Sequence, residues 1–316
     1  MRIFGRGFVP SYLKLLGSGE LKRRVEEAKD LLKSCTVCPW KCGVDRTSGE
    51  KGRCRGGKKA VVASYHPHFG EESPLVGRNG SGTIFFTWCN MRCVFCQNYE
   101  ISQLGEGVEV EAEDLARFML HLQGVGCHNI NLVSPTHFVP QILEAIYIAA
   151  MAGLSIPIVY NTGGYDSVET LKLLDGVVDI YMPDMKYSDP DVSKRLSGPD
   201  DYPEVNRAAV KEMHRQVGDL KIEDGIAVRG LLIRHLVLPN GLSGTKDIMS
   251  FIAKEISKDS YVNIMDQYRP TYKAMDYKEI SRRITTEELE EAFDFARKEG
   301  LWRFDRKRPF LILLDR

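Results

Sequence analysis

Three cysteines, Cys89, Cys93 and Cys96, fall in the stretch GTIFFTWCNMRCVFCQNYEI, directly after an apolar run of β-favouring residues. Thiolates are soft ligands that suit iron, and C-x3-C-x2-C lets one loop wrap three corners of a four-iron, four-sulfur cube. The fourth iron is then left without a protein ligand, and an open metal position in a buried site is where a substrate or cofactor binds. Three ordinary buried thiols, or part of a zinc knuckle, are the plainer readings; the spacing and the placement after a strand speak against both. A second set, Cys35-x2-Cys38-x3-Cys42 with Cys54 following, has Pro39 and Gly43 beside its thiols, which allow the tight turns that aim several sulfurs at one point. Four thiolates close a coordination sphere. Such a second metal site is structural zinc or an electron-transfer iron–sulfur cluster, and spacing alone does not choose between them.

These loops need a scaffold, and the alternation of strand and helix patterns supplies its outline. Strand-like runs lie at 83–88, 129–134, 156–161, 177–184, 231–238 and 261–268, and helical patterns at 112–124, 140–152, 167–174, 202–217, 245–257 and 285–298. Alternation of this kind implies a parallel sheet with crossover helices. Six β/α units make an α/β, TIM-like partial barrel, (β/α)6, about three-quarters of the eight-unit form, with its site at the carboxyl ends of the strands. Thr285 and Glu288 have the spacing of a capping box at the start of the last helix. Residues 1–60 read as a small Cys-rich extension containing a packing helix over 18–32, residues 61–280 as the barrel, and 281–316 as a helix and tail packed on it. Residues 60–82, rich in Gly, Pro and His with the acidic pair Glu71 and Glu72, read as a loop beside the site. His66 and His68 in that loop read as surface hydrogen-bonding residues.

The chain has 316 residues, 43 basic and 43 acidic, so charge announces neither a nucleic-acid face nor a membrane surface. Seven of the eight cysteines fall in the two clusters. That is ligand usage in a reducing compartment and not a disulfide framework. No signal-peptide core and no apolar run of about 18 residues occurs, so a cytoplasmic protein without a membrane partner is expected.

The expected strand ends carry polar groups. Asn161, Thr162, Gly163 and Gly164 end the third strand, Asp184 and Lys186 end the fourth, and Arg234 lies on the fifth. A carboxylate and an ammonium at one rim suit a ligand that itself carries both groups, and an arginine there can reach a carboxylate or a hydroxyl. There is no hydrolytic Ser/His/Asp or Cys/His set and no Walker-type phosphate loop.

The three-cysteine spacing, with Phe95 before the third thiol, resembles the signature of radical S-adenosylmethionine (SAM) enzymes. The runs Cys35 through Cys54, HPHFGEESPLVGRNGSGTIFFTWCNMRCVFCQN and RGLLIRHLVLPN resemble, more narrowly, a branch of pyruvate formate-lyase activating enzyme homologues, over about residues 35–275. The resemblance implies a site-differentiated [4Fe–4S] cluster on Cys89, Cys93 and Cys96. It implies reductive cleavage of SAM to methionine and a 5′-deoxyadenosyl radical, and hydrogen abstraction from a glycine of a partner glycyl-radical enzyme. Flavodoxin or ferredoxin would supply the electron. Carried over by position, Phe95, Asn98, Asn161, Thr162, Asp184, Lys186, Arg234 and Tyr268 would contact SAM, and Met182, Asp184 and Thr162 fall at a monovalent-cation site.

The sequence also departs from that pattern. Asn161 stands where an aspartate is usual, Tyr268 where a histidine is usual, and Ser134-Pro135-Thr136-His137 where Gly-Gly-Glu is usual, leaving Ser134 or Thr136 to accept from SAM's ammonium. The alternatives are a radical SAM enzyme acting on a small molecule or RNA, and a non-catalytic iron–sulfur or zinc protein. Cys127 reads as an inert buried thiol in preference to a hydrogen donor.

Overall fold

The structure, a computed structural model, describes residues 8–305. Their strands are β1 (Ala60–His68), β2 (Ser81–Phe86), β3 (Val108–Val110), β4 (Ile130–Val133), β5 (Ile158–Thr162), β6 (Ile180–Pro183), β7 (Lys221–Glu223), β8 (Ile226–Leu236), β9 (Tyr261–Met265) and β10 (Arg303–Phe304). The order across the sheet is β10-β9-β8-β6-β5-β4-β2-β1-β3, with β7 forming a hairpin on β8. From β2 through β4, β5, β6, β8 and β9 to β10 every pairing is parallel. The six expected strand runs therefore form the wall of a partial barrel, with β1 and β3 as an antiparallel edge. The two ends of the strand order do not pair, so the barrel is open on one side.

The helices are α1 (Tyr12–Gly17), α2 (Glu20–Asp30), α3 (Ser73–Val76), α4 (Ala112–Gly124), α5 (Val139–Met151), α6 (Val168–Leu173), α7 (Pro190–Ser197), α8 (Tyr202–Val217), α9 (Thr245–Phe251) and α10 (Thr286–Lys298). Leu21, Val25 and Ala28 of α2 and Ala292 and Ala296 of α10 share one buried apolar cluster with the outer face of the barrel strands. The helix expected over 18–32 is shorter, because Gly19 takes the left-handed conformation at its start (φ 77°) and leaves α1 as a separate turn of helix. The Thr285–Glu288 capping box forms as the spacing requires. The expected tail beyond residue 305 lies outside the described residues. No described helix is long and apolar enough to cross a membrane.

Two departures fall in residues 60–82. The segment read as a loop begins as β1, pairing with β2 through a register shift between Val62 and Ser64. Pro67 hid it. Proline lacks a backbone donor, but β3 pairs only with residues 60–62, so Pro67 stands on an open edge where no donor is needed. Beyond β1 the chain turns inward. Leu75 of α3 packs against Val159, Ile180, Met182 and Leu232, which belong to three barrel strands, so this single turn of helix plugs the lumen. Gly77 ends the plug at φ 50°, and a Cβ there would lie 2.4 Å from both His128 Nε2 and Ile226 Cδ1. Only glycine fits such a turn.

Candidate active site

Past the end of β2, Thr87 and Trp88 lead into the Cys89–Cys96 loop, and Trp88 adopts φ 68° to swing the chain over the barrel mouth. Backbone amides of Arg92 and Val94 donate to the carbonyls of Ser197 and Leu196 at 2.9 Å, tying the loop to the end of α7. Each thiol has a polar neighbour: the Met91 amide donates to Cys89 Sγ at 3.4 Å, Ser197 Oγ donates to Cys93 Sγ at 3.0 Å, and Ser102 Oγ lies 3.1 Å from Cys96 Sγ. Burial pushes the Cys89 thiol up to about 12 and Cys93 up to about 11, with the Lys186 ammonium opposing the rise at Cys93.

All three cysteines line one cavity of about 760 Å³, together with Phe95, Asn98, Ser134, Asn161, Thr162, Asp184, Lys186 and Arg234. The strands converge these side chains as expected. Arg234 Nε donates to Asp184 Oδ1 at 2.7 Å and Arg234 Nη2 to Asn161 Oδ1 at 2.8 Å, while Lys186 pairs with Asp184 Oδ2. Burial alone would raise the Asp184 carboxyl, but the two cations hold it below its ordinary value. Gly164, at φ 81°, makes the turn after β5; a Cβ there would sit 2.1 Å from the Asp184 carbonyl oxygen.

Two expected contacts are placed elsewhere. Thr136 is buried behind the wall, where its hydroxyl donates to Asp166 Oδ1 at 2.7 Å and lies 3.1 Å from Thr162 Oγ1. Asp166 also accepts from Tyr160 and Thr162, which explains why Thr136 serves the wall and not the cavity. Tyr268 packs edge-on against Phe95 with ring centroids 5.7 Å apart, and its hydroxyl donates to the Ile280 carbonyl at 2.6 Å. Neither Thr136 nor Tyr268 lines the cavity, and Cys127 does not line it.

Sequence reasoning left other lining residues without a role: Glu71, Glu72, Asn263, Gln267 and Asp305. Glu72 is 5% exposed and its Oε1 accepts from Asn263 Nδ2 at 2.9 Å. The signal was present as two adjacent carboxylates before Ser73-Pro74, a helix start. What periodicity does not carry is that this helix points into the barrel.

The four other cysteines also share one place. Cys38 is raised chiefly by burial and then by the charges of Cys54, Cys35 and Cys42, so all four are close neighbours. Arg46, 1% exposed, stands beside them: its Nη1 lies 3.9 Å from Cys35 Sγ and donates to the His137 carbonyl at 2.8 Å. His137 Nε2 in turn lies 3.0 Å from the Thr87 carbonyl, two residues before Cys89.

Among the described residues no three His, Cys, Asp or Glu side chains are gathered as a site for a single metal ion. A four-iron cube spaces its corner ligands more widely than one ion does, and three thiols that face a shared cavity are the donor set it takes. The mouth therefore fits a cluster with one corner facing the lumen.

Residues 83–228 match the family profile described as the radical SAM superfamily, and the chain belongs to that superfamily. It is 36% identical over 291 residues to an uncharacterized protein of Methanocaldococcus jannaschii, covering 89% of this chain and 79% of that protein. Among solved structures, it is similar to Streptococcus suis SuiB bound to the precursor peptide SuiA, with TM-score 0.49 and 13% identity over 70% of this chain and 47% of SuiB. It is also similar to HydG, a maturase of the [FeFe]-hydrogenase, with TM-score 0.44 and 14% identity over 67% of this chain and 47% of HydG. The chain thus spans about half the length of each of these two structures.

Proposed function

We propose that Cys89, Cys93 and Cys96 hold a [4Fe–4S] cluster whose free corner binds SAM, and that the protein abstracts a hydrogen atom from a substrate in the barrel lumen. When bound, cluster and SAM would supply an electron and a 5′-deoxyadenosyl radical as the hydrogen abstractor. The observation that carries the reading is the sharing of one cavity by three thiols and the Asp184–Lys186–Arg234 group. Lys186 is placed to meet a carboxylate at the mouth. Asn161 holds Arg234, Arg234 and Lys186 hold Asp184, and the plug formed by α3 keeps bulk water from the inner end.

A protein glycine, as in glycyl-radical activation, is one substrate of this chemistry, and the open side of the barrel gives a partner loop room to enter. A small molecule is the second, and the buried carboxylates of Glu71 and Glu72 favour it, because a glycine has no side chain to meet them. Flavodoxin or ferredoxin in a reducing cytoplasm would serve as donor. The four-cysteine site would hold a further cluster, or zinc if its thiols draw closer around one ion. A monovalent cation would have to compete with Lys186 and Arg234 for Asp184.

The test is anaerobic. Protein with its cluster reconstituted is reduced, given SAM, and assayed for 5′-deoxyadenosine and methionine beside Cys93→Ala. Formation of both products that disappears in the variant supports the reading. No cleavage by protein with a loaded, reduced cluster would move weight to an electron carrier.

A further inference from the structure

Four carboxylates line the cavity, Glu71, Glu72, Asp184 and Asp305, against two fixed cations, Lys186 and Arg234. The cations are not shared evenly. Lys186 and Arg234 both pair with Asp184, whereas Arg234 Nη1 only approaches Glu72 Oε1 at 4.0 Å. Asp305 is met by the Tyr261 hydroxyl at 2.8 Å and the Ser73 amide at 3.2 Å. Among the described residues Glu71, Glu72 and Asp305 thus have no cation closer than 4.0 Å, and of these Asp305 is already met by two donors.

Hydrogen bonding shows the same deficit. Among the described residues Glu72 Oε2 has no partner, although the residue is 5% exposed. Asn131, whose amide faces Glu71, is 0% exposed, and its side-chain oxygen has no partner among the described residues. Asn131 lies on β4 two residues before Val133, which lines the cavity, so alternation puts both on the lumen face. An unmatched buried polar group is destabilising, so two such acceptors in one place signal a missing donor.

The place adjoins the Asp184–Arg234 pair on its inner side. Glu72 bonds Asn263, which stands opposite Arg234 in the β8–β9 ladder, while Met265, two residues further towards the cysteine end, stands opposite Leu236. Two residues of strand span roughly 6.6 Å, which sets Glu72 level with Arg234 and Asp184 and a layer below Leu236 and Met265.

We propose that Glu71, Glu72 and Asn131 form a recognition floor in the barrel that takes a protonated nitrogen, an ammonium or guanidinium group, at the inner end of the substrate. Glu72 Oε2 and Asn131 Oδ1 accept its N–H donors, and Glu71 supplies the second opposing charge. An N–H cation suits the floor better than a metal ion, since no three metal-ligating side chains are gathered among the described residues. The inference rests on the proposed function, because a group held on the floor lies on the lumen side of the mouth, where a hydrogen would be abstracted.

The test uses the cluster-loaded protein with n-butylamine and methylguanidine as probes, and n-butanol, butyrate and Mn²⁺ as controls. Binding is read by ligand-observed NMR, and by EPR for Mn²⁺; SAM binding is measured separately by equilibrium dialysis. The expected result is binding of at least one cationic probe at pH 7.5, weakened at least ten-fold in both Glu72→Gln and Glu71→Gln, with SAM affinity within two-fold of wild type. Circular dichroism confirms that each variant is folded, and two variants guard against the loss of one. Equal binding of n-butanol, unchanged probe affinity in both folded variants, or Mn²⁺ bound in place of the amines would overturn the floor. So would loss of SAM binding in Glu72→Gln, which would assign the carboxylate to SAM's ammonium. A wild-type protein that takes the amine but not SAM would instead sink the proposed function.

Discussion

Seven of the eight cysteines serve two regions, and the regions differ in what the sulfurs face. Cys89, Cys93 and Cys96 line a cavity of about 760 Å³ shared with charged strand-end residues. Cys35, Cys38, Cys42 and Cys54 line none of it and instead crowd one another beside the buried guanidinium of Arg46. The sulfurs thus face an open cavity in one place and one another in the other. An open set can present a metal corner to a reactant, whereas a closed set can only hold or relay. The Arg46–His137–Thr87 connection ties the closed region to the strand that carries the open one.

The largest expected effect separates the two directly. Cys93→Ala should abolish 5′-deoxyadenosine formation, while Cys38→Ala should leave measurable formation per loaded cluster and lower thermal stability. Equal loss in both, with equal loading of the three-cysteine cluster, would break the distinction. Next comes Arg234→Met. It leaves Asp184 buried with Lys186 as its remaining cation, and losing a hydrogen bond to a charged group costs about 1.5–3 kcal/mol. Urea unfolding should show a loss of that order.

A smaller effect depends on pH. Burial, and then the charge of Glu72, raises the Glu71 carboxyl from its ordinary 4.5 to about 7, with Arg234 opposing and Asp184 adding to the rise. A raised acid favours the folded state only while protonated. Its contribution is present below about 4.5 and is lost as pH climbs through about 7. Thermal stability of the protein without a cationic ligand should therefore fall across that window, and Glu71→Gln should flatten the slope. An unchanged slope in the variant would remove the floor from the contrast between regions. The smallest effect lies at the closed region's surface, where the Arg53 guanidinium sits 3.9 Å over the Trp40 ring. Arg53→Ala should cost about 0.5–1 kcal/mol in chemical denaturation and leave SAM cleavage intact.

Much of this molecule could be read along the chain because the relevant physics is local. Thiol spacing within one loop, the six strand runs, and the Thr285–Glu288 capping box all depend on residues a few positions apart. Asn161, Asp184, Lys186 and Arg234 were found because strand ends in a parallel barrel must converge. The errors came where a residue's partner is distant. Thr136 and Tyr268 carry the right chemistry at the right strand ends, yet Asp166 and the Ile280 carbonyl claim their hydroxyls. Pro67 disguised β1, whose pairing depends on β2 and on an edge that β3 leaves open.

Thiol spacing and periodicity, which act within one segment, were enough for the two cysteine clusters, six of the seven described parallel strands and the end of the barrel at which the cavity lies. Only the tertiary structure decided which side chains face the lumen and which are taken up in its wall. The same holds for the floor. Glu71 and Glu72 are an ordinary acidic pair until Leu75 anchors α3 against β5, β6 and β8, burying their carboxylates where water cannot compensate them.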